Sequence, residues 1–156
     1  MDSIEKKETK TKKIIKAPVK RKTAREYAFL LTFERLITGE RNDFSKELAA
    51  SNLELQAEFF NMALEKIDNN FDFLSNTIQK FSKGFSLERM HKVDLAILIL
   101  ASAEILFLTD LDDLISVNEA LELSKRYSSE KSTKFVHGIL SSILAEKQTL
   151  LKEIRA

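Results

Sequence analysis

The chain has 156 residues, of which 44% are hydrophobic and 31% charged, with three glycines, one proline and no cysteine. This length suits one domain with a sizeable core, and so few glycines and prolines exclude the many turns of a β-sandwich or barrel. The lack of cysteine excludes disulfide bonds, thiolate zinc sites and cysteine nucleophiles, and it fits a cytoplasmic protein. We therefore expect an all-α fold.

Basic charge is concentrated at the start of the chain. Residues 1–22 hold nine basic and three acidic side chains, a net charge of +6, whereas the whole chain carries +1 and the remainder therefore −5. A basic segment on an acidic body is typical of a protein that meets a polyanion such as RNA, although a solvated tail has the same composition. We predict that residues 1–20 form a flexible basic arm and residues 21–156 a single helical domain.

Hydrophobic spacing predicts a series of helices along the domain. The first has Thr23 as its N-cap and ends at Gly39, since serine, threonine and acidic residues favour helix starts and glycine favours helix ends. One or two helices are expected over residues 44–68. Another is expected over residues 71–81, ended near Gly84.

The segment from residue 93 to residue 108 is apolar on nearly all sides, which predicts a buried central helix. It is too short to span a membrane and contains two acids, Asp94 and Glu104. A carboxylate as deep in an apolar run as Glu104 needs a hydrogen bond or an ion pair. Two more helices, over residues 114–127 and 136–154, bring the expected total to six or seven in a compact bundle.

The sequence gives little support for an enzyme, a metal site or a cofactor site. His91 and His137 are the only histidines and lack a metal-binding spacing, and no serine lies in a nucleophile elbow. Gly39, Gly84 and Gly138 are isolated from one another, which excludes a phosphate-binding glycine loop. We therefore predict no catalytic residue, no metal and no cofactor. Gly138 interrupts a helical pattern, so we expect another helix or backbone segment to approach it closely.

Two segments near the end of the chain carry a recognisable motif. Residues 115–127 read I-S-V-N-E-A-L-E-L-S-K-R-Y, and residues 134–140 read K-F-V-H-G-I-L. Together with the basic opening over residues 20–28 and the apolar run that contains Glu104, they resemble the NusB family of transcription antitermination factors. The resemblance covers about residues 20–145. The chain departs from the family pattern at four positions: Ile99, Ala103, Asp112 and His137.

The resemblance implies two small packed helical bundles and a protein that is not an enzyme. It also implies pairing with the ribosomal protein NusE, binding to the boxA element of single-stranded RNA, and read-through of terminators by RNA polymerase, notably in ribosomal RNA operons. The implied RNA-binding residues are six basic side chains and one aromatic: Lys20, Arg21, Lys22, Arg25, Lys131, Lys134 and Phe135. Phe33 and Asp94 lie where the family meets its protein partner. A place in the core for Phe33 and Phe135, and at a helix start for Asp94, would explain these residues almost as well.

Two other functions remain open from the sequence. A NusB-like adaptor would bind proteins without specific recognition of RNA. NusB-like domains also precede RNA cytosine methyltransferases, but a chain that ends at Ala156 leaves no room for a Rossmann-type catalytic domain. The sequence also leaves open whether the chain forms a homodimer.

Overall fold

The computed structural model describes residues 18–156, and this part of the chain forms eight α-helices and no strand. The helices are α1 (Arg21–Thr38), α2 (Asp43–Ser51), α3 (Ala57–Asn69), α4 (Phe71–Phe81), α5 (Lys92–Phe107), α6 (Asp113–Tyr127), α7 (Glu130–Ala145) and α8 (Lys147–Arg155). A short 3-10 helix, Glu54–Gln56, precedes α3. The predicted all-α fold is confirmed, with eight helices instead of six or seven. Most of the predicted arm, residues 1–17, lies outside the described residues.

Helix α5 is the centre of the fold. All thirteen residues from Asp94 to Leu106 are buried, in agreement with the apolar run in the sequence. From the N-terminal half of the chain α1, α3 and α4 pack against α5, and from the C-terminal half α6, α7 and α8 do so. Each large aliphatic side chain buried in this way contributes about 1.5–3 kcal/mol. None of the helices over residues 18–156 is long and apolar enough to cross a membrane.

The first helix begins earlier than predicted. Its N-cap is Lys20, which makes no side-chain capping bond, and Thr23 lies inside the first turn. Gly39 ends the helix as predicted, because its φ of +89° is in the left-handed region that glycine adopts without strain. Its N–H donates to the carbonyl of Arg35 at 2.8 Å. The chain therefore turns sharply toward α2.

The predicted last helix is divided into α7 and α8. The break affects only Glu146, whose N–H donates to the carbonyl of Ser142 and whose carbonyl accepts from Leu150. Ile143 and Leu150 lie seven residues apart on either side and are both buried. Because that spacing is also the spacing of a continuous helix, the apolar pattern does not reveal the break.

Gly138 does not meet a close neighbour, so the expectation of a close approach is wrong. The residue is exposed in the middle of α7, and a Cβ added there would have nothing within 4 Å. Gly138→Ala is therefore expected to raise the free energy of unfolding by about 0.5–1 kcal/mol, because alanine loses less backbone entropy on folding. Urea denaturation followed by circular dichroism measures the change.

Gly39→Ala is the matched control for this substitution. Gly39 also has open space around an added Cβ, but its φ of +89° would strain an alanine. Gly39→Ala is therefore expected to lower stability. A loss of stability in Gly138→Ala would contradict the prediction and point to a constraint on that position.

Candidate nucleic-acid interface

The start of α1 carries three exposed basic side chains, Lys20, Arg21 and Lys22. The guanidinium of Arg21 lies 4.6 Å from the centre of the Phe59 ring, and its Nε donates to the side-chain oxygen of Gln56 at 3.2 Å. This cation–π contact orients Arg21 but leaves the residue exposed. All three charges are therefore open to a polyanion in solvent.

Arg25 lies in the core, and the structure corrects the expectation that it contacts RNA. Arg25 is 4% exposed and Glu104 1%. The Nε of Arg25 is 3.0 Å from both carboxylate oxygens of Glu104, and its Nη2 donates to Oε1 at 2.7 Å. Ser116 donates to the same oxygen at 3.1 Å. The ion pair expected for Glu104 is thus present, and it engages the arginine that the resemblance assigned to RNA.

The end of α6 is tied to α1 through Glu26. Arg126 Nη1 lies 2.6 Å from the Glu26 carboxylate, and the Tyr127 hydroxyl donates to the same group. This hydrogen bond, with a smaller effect of burial, raises the pKa of Tyr127, because the bond favours the neutral phenol beside a carboxylate. The Tyr127 ring also packs against Phe29, with ring centres 5.0 Å apart. These contacts fix where α7 starts relative to α1.

A second group of predicted residues lines one cavity, where α7 begins beside the start of α5. Asp94, Lys131 and Phe135 border this cavity, which has a volume of about 250 Å³. We call it the aromatic pocket. Its other lining residues are Phe85, Arg89, Met90, His91, Ser129 and Ser132.

The aromatic pocket combines apolar rings, exposed cations and one buried carboxylate. Phe135 is half-buried against the core, and its ring centre lies 5.8 Å from that of Phe85. Asp94 is 2% exposed and accepts a hydrogen bond from Ser128 Oγ at 2.9 Å. Lys131 is exposed. Such a surface can stack an unpaired base on a ring while a cation meets the neighbouring phosphate.

Six of the nine lining residues were not predicted as site residues, and three of these six carry an aromatic or basic side chain. Phe85, Arg89 and His91 belong to the segment between α4 and α5, where no helical periodicity marks them. The available signal was an aromatic directly after a glycine, in a segment rich in basic residues. Lys134 is exposed one turn beyond Lys131, outside the lining of the pocket.

The predicted residues fall at two ends of the bundle. Helices α1 and α5 run in opposite directions. Arg25 near the start of α1 pairs with Glu104 near the end of α5. One turn later, Phe29 packs against Tyr127, whose neighbour Ser128 bonds to Asp94 near the start of α5. Phe33, two turns after Arg25 and half-buried, therefore lies toward the end that holds Asp94. Asp94 precedes Glu104 by ten residues, about 15 Å along the helix. The structure thus joins Asp94 with Lys131 and Phe135, and leaves the basic start of α1 at the other end.

The described residues hold no group of three or more His, Asp and Glu side chains that could bind a metal ion. The adjacent acids Asp112 and Asp113 both have structural contacts. Asp112 caps α6 by accepting from the Leu114 N–H at 2.9 Å. Asp113 binds Lys147 Nζ at 2.8 Å and so ties α6 to α8.

Comparison with known proteins identifies the family. The NusB family model matches residues 22–145. The chain belongs to the NusB family. Transcription antitermination protein NusB of Alkaliphilus oremlandii is 34% identical to this chain, covering 85% of it and 99% of the relative. The protein of the same name from Natranaerobius thermophilus is 33% identical, covering 79% of this chain and 93% of the relative.

Solved structures agree with the family assignment. NusB of T. maritima superposes with a TM-score of 0.75 at 26% identity, covering 86% of this chain and 99% of that one. A structure described as antitermination factors NusB and NusE in complex with dsRNA superposes with a TM-score of 0.68 at 26% identity, covering 83% and 96%. The predicted NusB-like fold is therefore confirmed.

The structure shows where the four residues lie at which this NusB-family chain departs from the family pattern. Ile99 and Ala103 are fully buried in α5 as parts of the apolar core. Asp112, where the family pattern commonly has proline, caps the following helix through its bond to Leu114. His137 is exposed on α7. None of the four removes a residue of the aromatic pocket.

Proposed function

We propose that this chain is a transcription antitermination factor that binds RNA together with the ribosomal protein NusE. The observation that carries the proposal is its likeness, over 83% of its length, to the NusB subunit in a structure described as NusB and NusE with dsRNA. The curated relatives, which carry the name transcription antitermination protein, support the same role. We further propose that the RNA is a boxA-type single strand and that the factor acts in the cytoplasm with RNA polymerase, notably on ribosomal RNA operons.

Two surfaces supply the proposed RNA contacts. At the start of α1, Lys20, Arg21 and Lys22 offer exposed charge for phosphates. On α7 the contacts are Lys131, Lys134 and Phe135. An aromatic ring stacks on an unpaired base, so Phe135 supports a single-stranded segment at the aromatic pocket. Arg25 has no part in this surface, because its guanidinium is committed to Glu104.

The proposed contact with NusE lies on the half-buried Phe33 and on the surface around Asp94, whose own carboxylate is buried and bonded to Ser128. Both lie toward the end of the bundle where α5 starts, and Asp94 borders the aromatic pocket. RNA on α7 and a protein on α1 would then meet beside each other at the start of α5. This proximity gives a physical reason for the two partners to strengthen one another's binding.

A boxA-like RNA is expected to bind more tightly than a scrambled RNA of the same length, and more tightly again when NusE is present. Fluorescence anisotropy at two salt concentrations measures both effects, with the full chain and with a chain that lacks residues 1–19. The shortened chain has lost six lysines, so its affinity should depend less steeply on salt while its preference for the boxA-like RNA persists.

Equal binding of the two RNAs, lost entirely with residues 1–19, would contradict the proposed function. It would favour the adaptor that binds proteins without specific recognition of RNA. Sedimentation of the free protein over a range of concentrations tests whether the chain also forms a homodimer.

A further inference from the structure

The segment between α4 and α5 carries an aromatic side chain that the family resemblance does not assign to a function. Phe85 is 53% exposed, and its ring plane meets that of the half-buried Phe135 at 59°. The two rings therefore form a corner at the mouth of the aromatic pocket. One ring is anchored in the core, and the other presents its surface to solvent.

The backbone on both sides of Phe85 is fixed by side chains of α4 and its end. The Phe85 carbonyl accepts from Ser82 Oγ at 2.6 Å and from Gln79 Nε2 at 2.7 Å. Gln79 Oε1 accepts from the Leu87 N–H at 2.9 Å. Gly84, with a φ of +89°, allows the turn that these bonds close. Phe85 is thus held in place before any ligand arrives, which lowers the entropy lost on binding.

The charges around the ring favour an anionic ligand with a flat apolar part. Arg89 and Lys131 border the pocket as exposed cations, together with the exposed imidazole of His91. The one acid in its lining, Asp94, is buried and engaged with Ser128. Single-stranded nucleic acid has this combination, because bases stack on aromatic rings while phosphates attract the cations beside them.

We propose that Phe85 is a base-stacking residue, which receives an unpaired RNA base on its exposed face while Arg89 and Lys131 face the flanking phosphates. Gln79 is the positioning residue that holds the ring in place. The inference rests on the proposed function, since it assumes that RNA reaches the aromatic pocket. It extends that function to a ring and a loop outside the motifs of the resemblance.

Phe85→Ala tests the proposal. The probe is a short single-stranded boxA-like RNA with 2-aminopurine placed at one position at a time, titrated in the presence of NusE. Affinity is expected to fall by about 5- to 150-fold, the usual effect of removing one stacking ring. The dependence on salt should stay unchanged, because no charge is removed. Quenching of one 2-aminopurine position should disappear.

Three variants serve as controls. Phe44 is 74% exposed on α2, so Phe44→Ala removes an even more exposed ring elsewhere on the protein and should bind as the wild type does. Phe85→Tyr keeps the ring and should retain affinity. Gln79→Ala leaves the ring but frees its loop, so it should weaken binding less than Phe85→Ala and reduce the quenching at the same position. Circular dichroism checks that each variant is folded.

Two results would overturn the inference alone. One is wild-type affinity and quenching in Phe85→Ala. The other is a loss of NusE binding by Phe85→Ala in the absence of RNA, which would assign the pocket to a protein side chain. A wild-type chain that does not prefer the boxA-like RNA would instead overturn the proposed function, and the inference with it.

Discussion

Arg25→Ala is expected to lower the free energy of unfolding by about 3–5 kcal/mol. The substitution leaves the Glu104 carboxylate, which is 1% exposed, without its cation, and breaking a buried ion pair by removing one partner has this magnitude. The remaining bond from Ser116 satisfies one carboxylate oxygen but supplies no charge. Urea denaturation of both proteins at neutral pH, with linear extrapolation to water, measures the difference.

The pH dependence of this loss identifies Glu104 as its source. Burial raises the pKa of Glu104 above its usual 4.5, while the hydrogen bonds and the charge of Arg25 oppose the rise. Without Arg25 the pKa of folded Glu104 rises further, so the folded variant takes up its proton at a higher pH than the wild type. The destabilisation is therefore largest at neutral pH and shrinks as the pH falls toward 4.5, where Glu104 is increasingly neutral in both proteins.

Glu104→Gln in the Arg25→Ala background is the control for this pH dependence. Glutamine has no proton to take up. The additional pH dependence of stability that Arg25→Ala causes should therefore be absent from the double variant. A loss in Arg25→Ala that stays constant between neutral pH and pH 4.5 would contradict the assignment to the buried carboxylate.

RNA binding by Arg25→Ala distinguishes the core role from a phosphate contact. At a temperature where the variant is folded, its affinity and its salt dependence are expected to match those of the wild type. A phosphate-contacting arginine would instead reduce the salt slope on removal. The result therefore tests whether Arg25 acts only in the core, as its burial indicates, or also contacts RNA, as the family resemblance implied.

The central helix and the end of α1 were predictable from the sequence because both have local causes. The apolar run of α5 requires burial on all sides, and thirteen of its residues are buried. Gly39 occupies a left-handed position that follows an apolar stripe. The break at Glu146 was not predictable, since the apolar spacing continues through it.

The burial of Arg25 was indicated by the helical spacing of α1, but the basic residues around it hid this signal. The family resemblance assigned Arg25, within a basic stretch, to RNA binding, yet Arg25 lies on the same helical stripe as Phe29 and Thr32, four and seven residues later. All three are buried. Its partner, Glu104, lies 79 residues away, and no local pattern connects the two. The stripe therefore indicated burial, but only the packing of α1 on α5 shows the pair.

The aromatic pocket was predictable in part. Lys131 and Phe135 lie four residues apart on α7, so helical geometry places them on one face. Phe85 reaches the same place through a loop held by Gln79 and Ser82. Those bonds depend on where α4 ends and α5 begins relative to α7, and a linear sequence does not give that geometry.

Replacing Lys131 and Lys134 together by alanine is expected to weaken the binding of single-stranded RNA by about 25-fold near 0.1 M salt. Each lost phosphate contact removes the release of about 0.7 counterions, which corresponds to about fivefold in affinity at that salt concentration. The slope of log affinity against log salt should become shallower by about 1.4. Anisotropy titrations across a salt series measure both quantities with the same RNA and NusE concentrations.

Lys152→Ala with Arg155→Ala is the matched control, because it removes the same charge from exposed positions on α8. If the control weakens binding as much as the α7 pair does, the effect belongs to the overall charge of the protein, and α7 has no particular contact with RNA. If only the α7 pair changes the slope, phosphates pass beside the aromatic pocket. The α7 double variant should lose affinity with a shallower salt dependence, whereas Phe85→Ala should lose affinity with the same salt dependence as the wild type. The two results together would separate the electrostatic part of the interface from its stacking part.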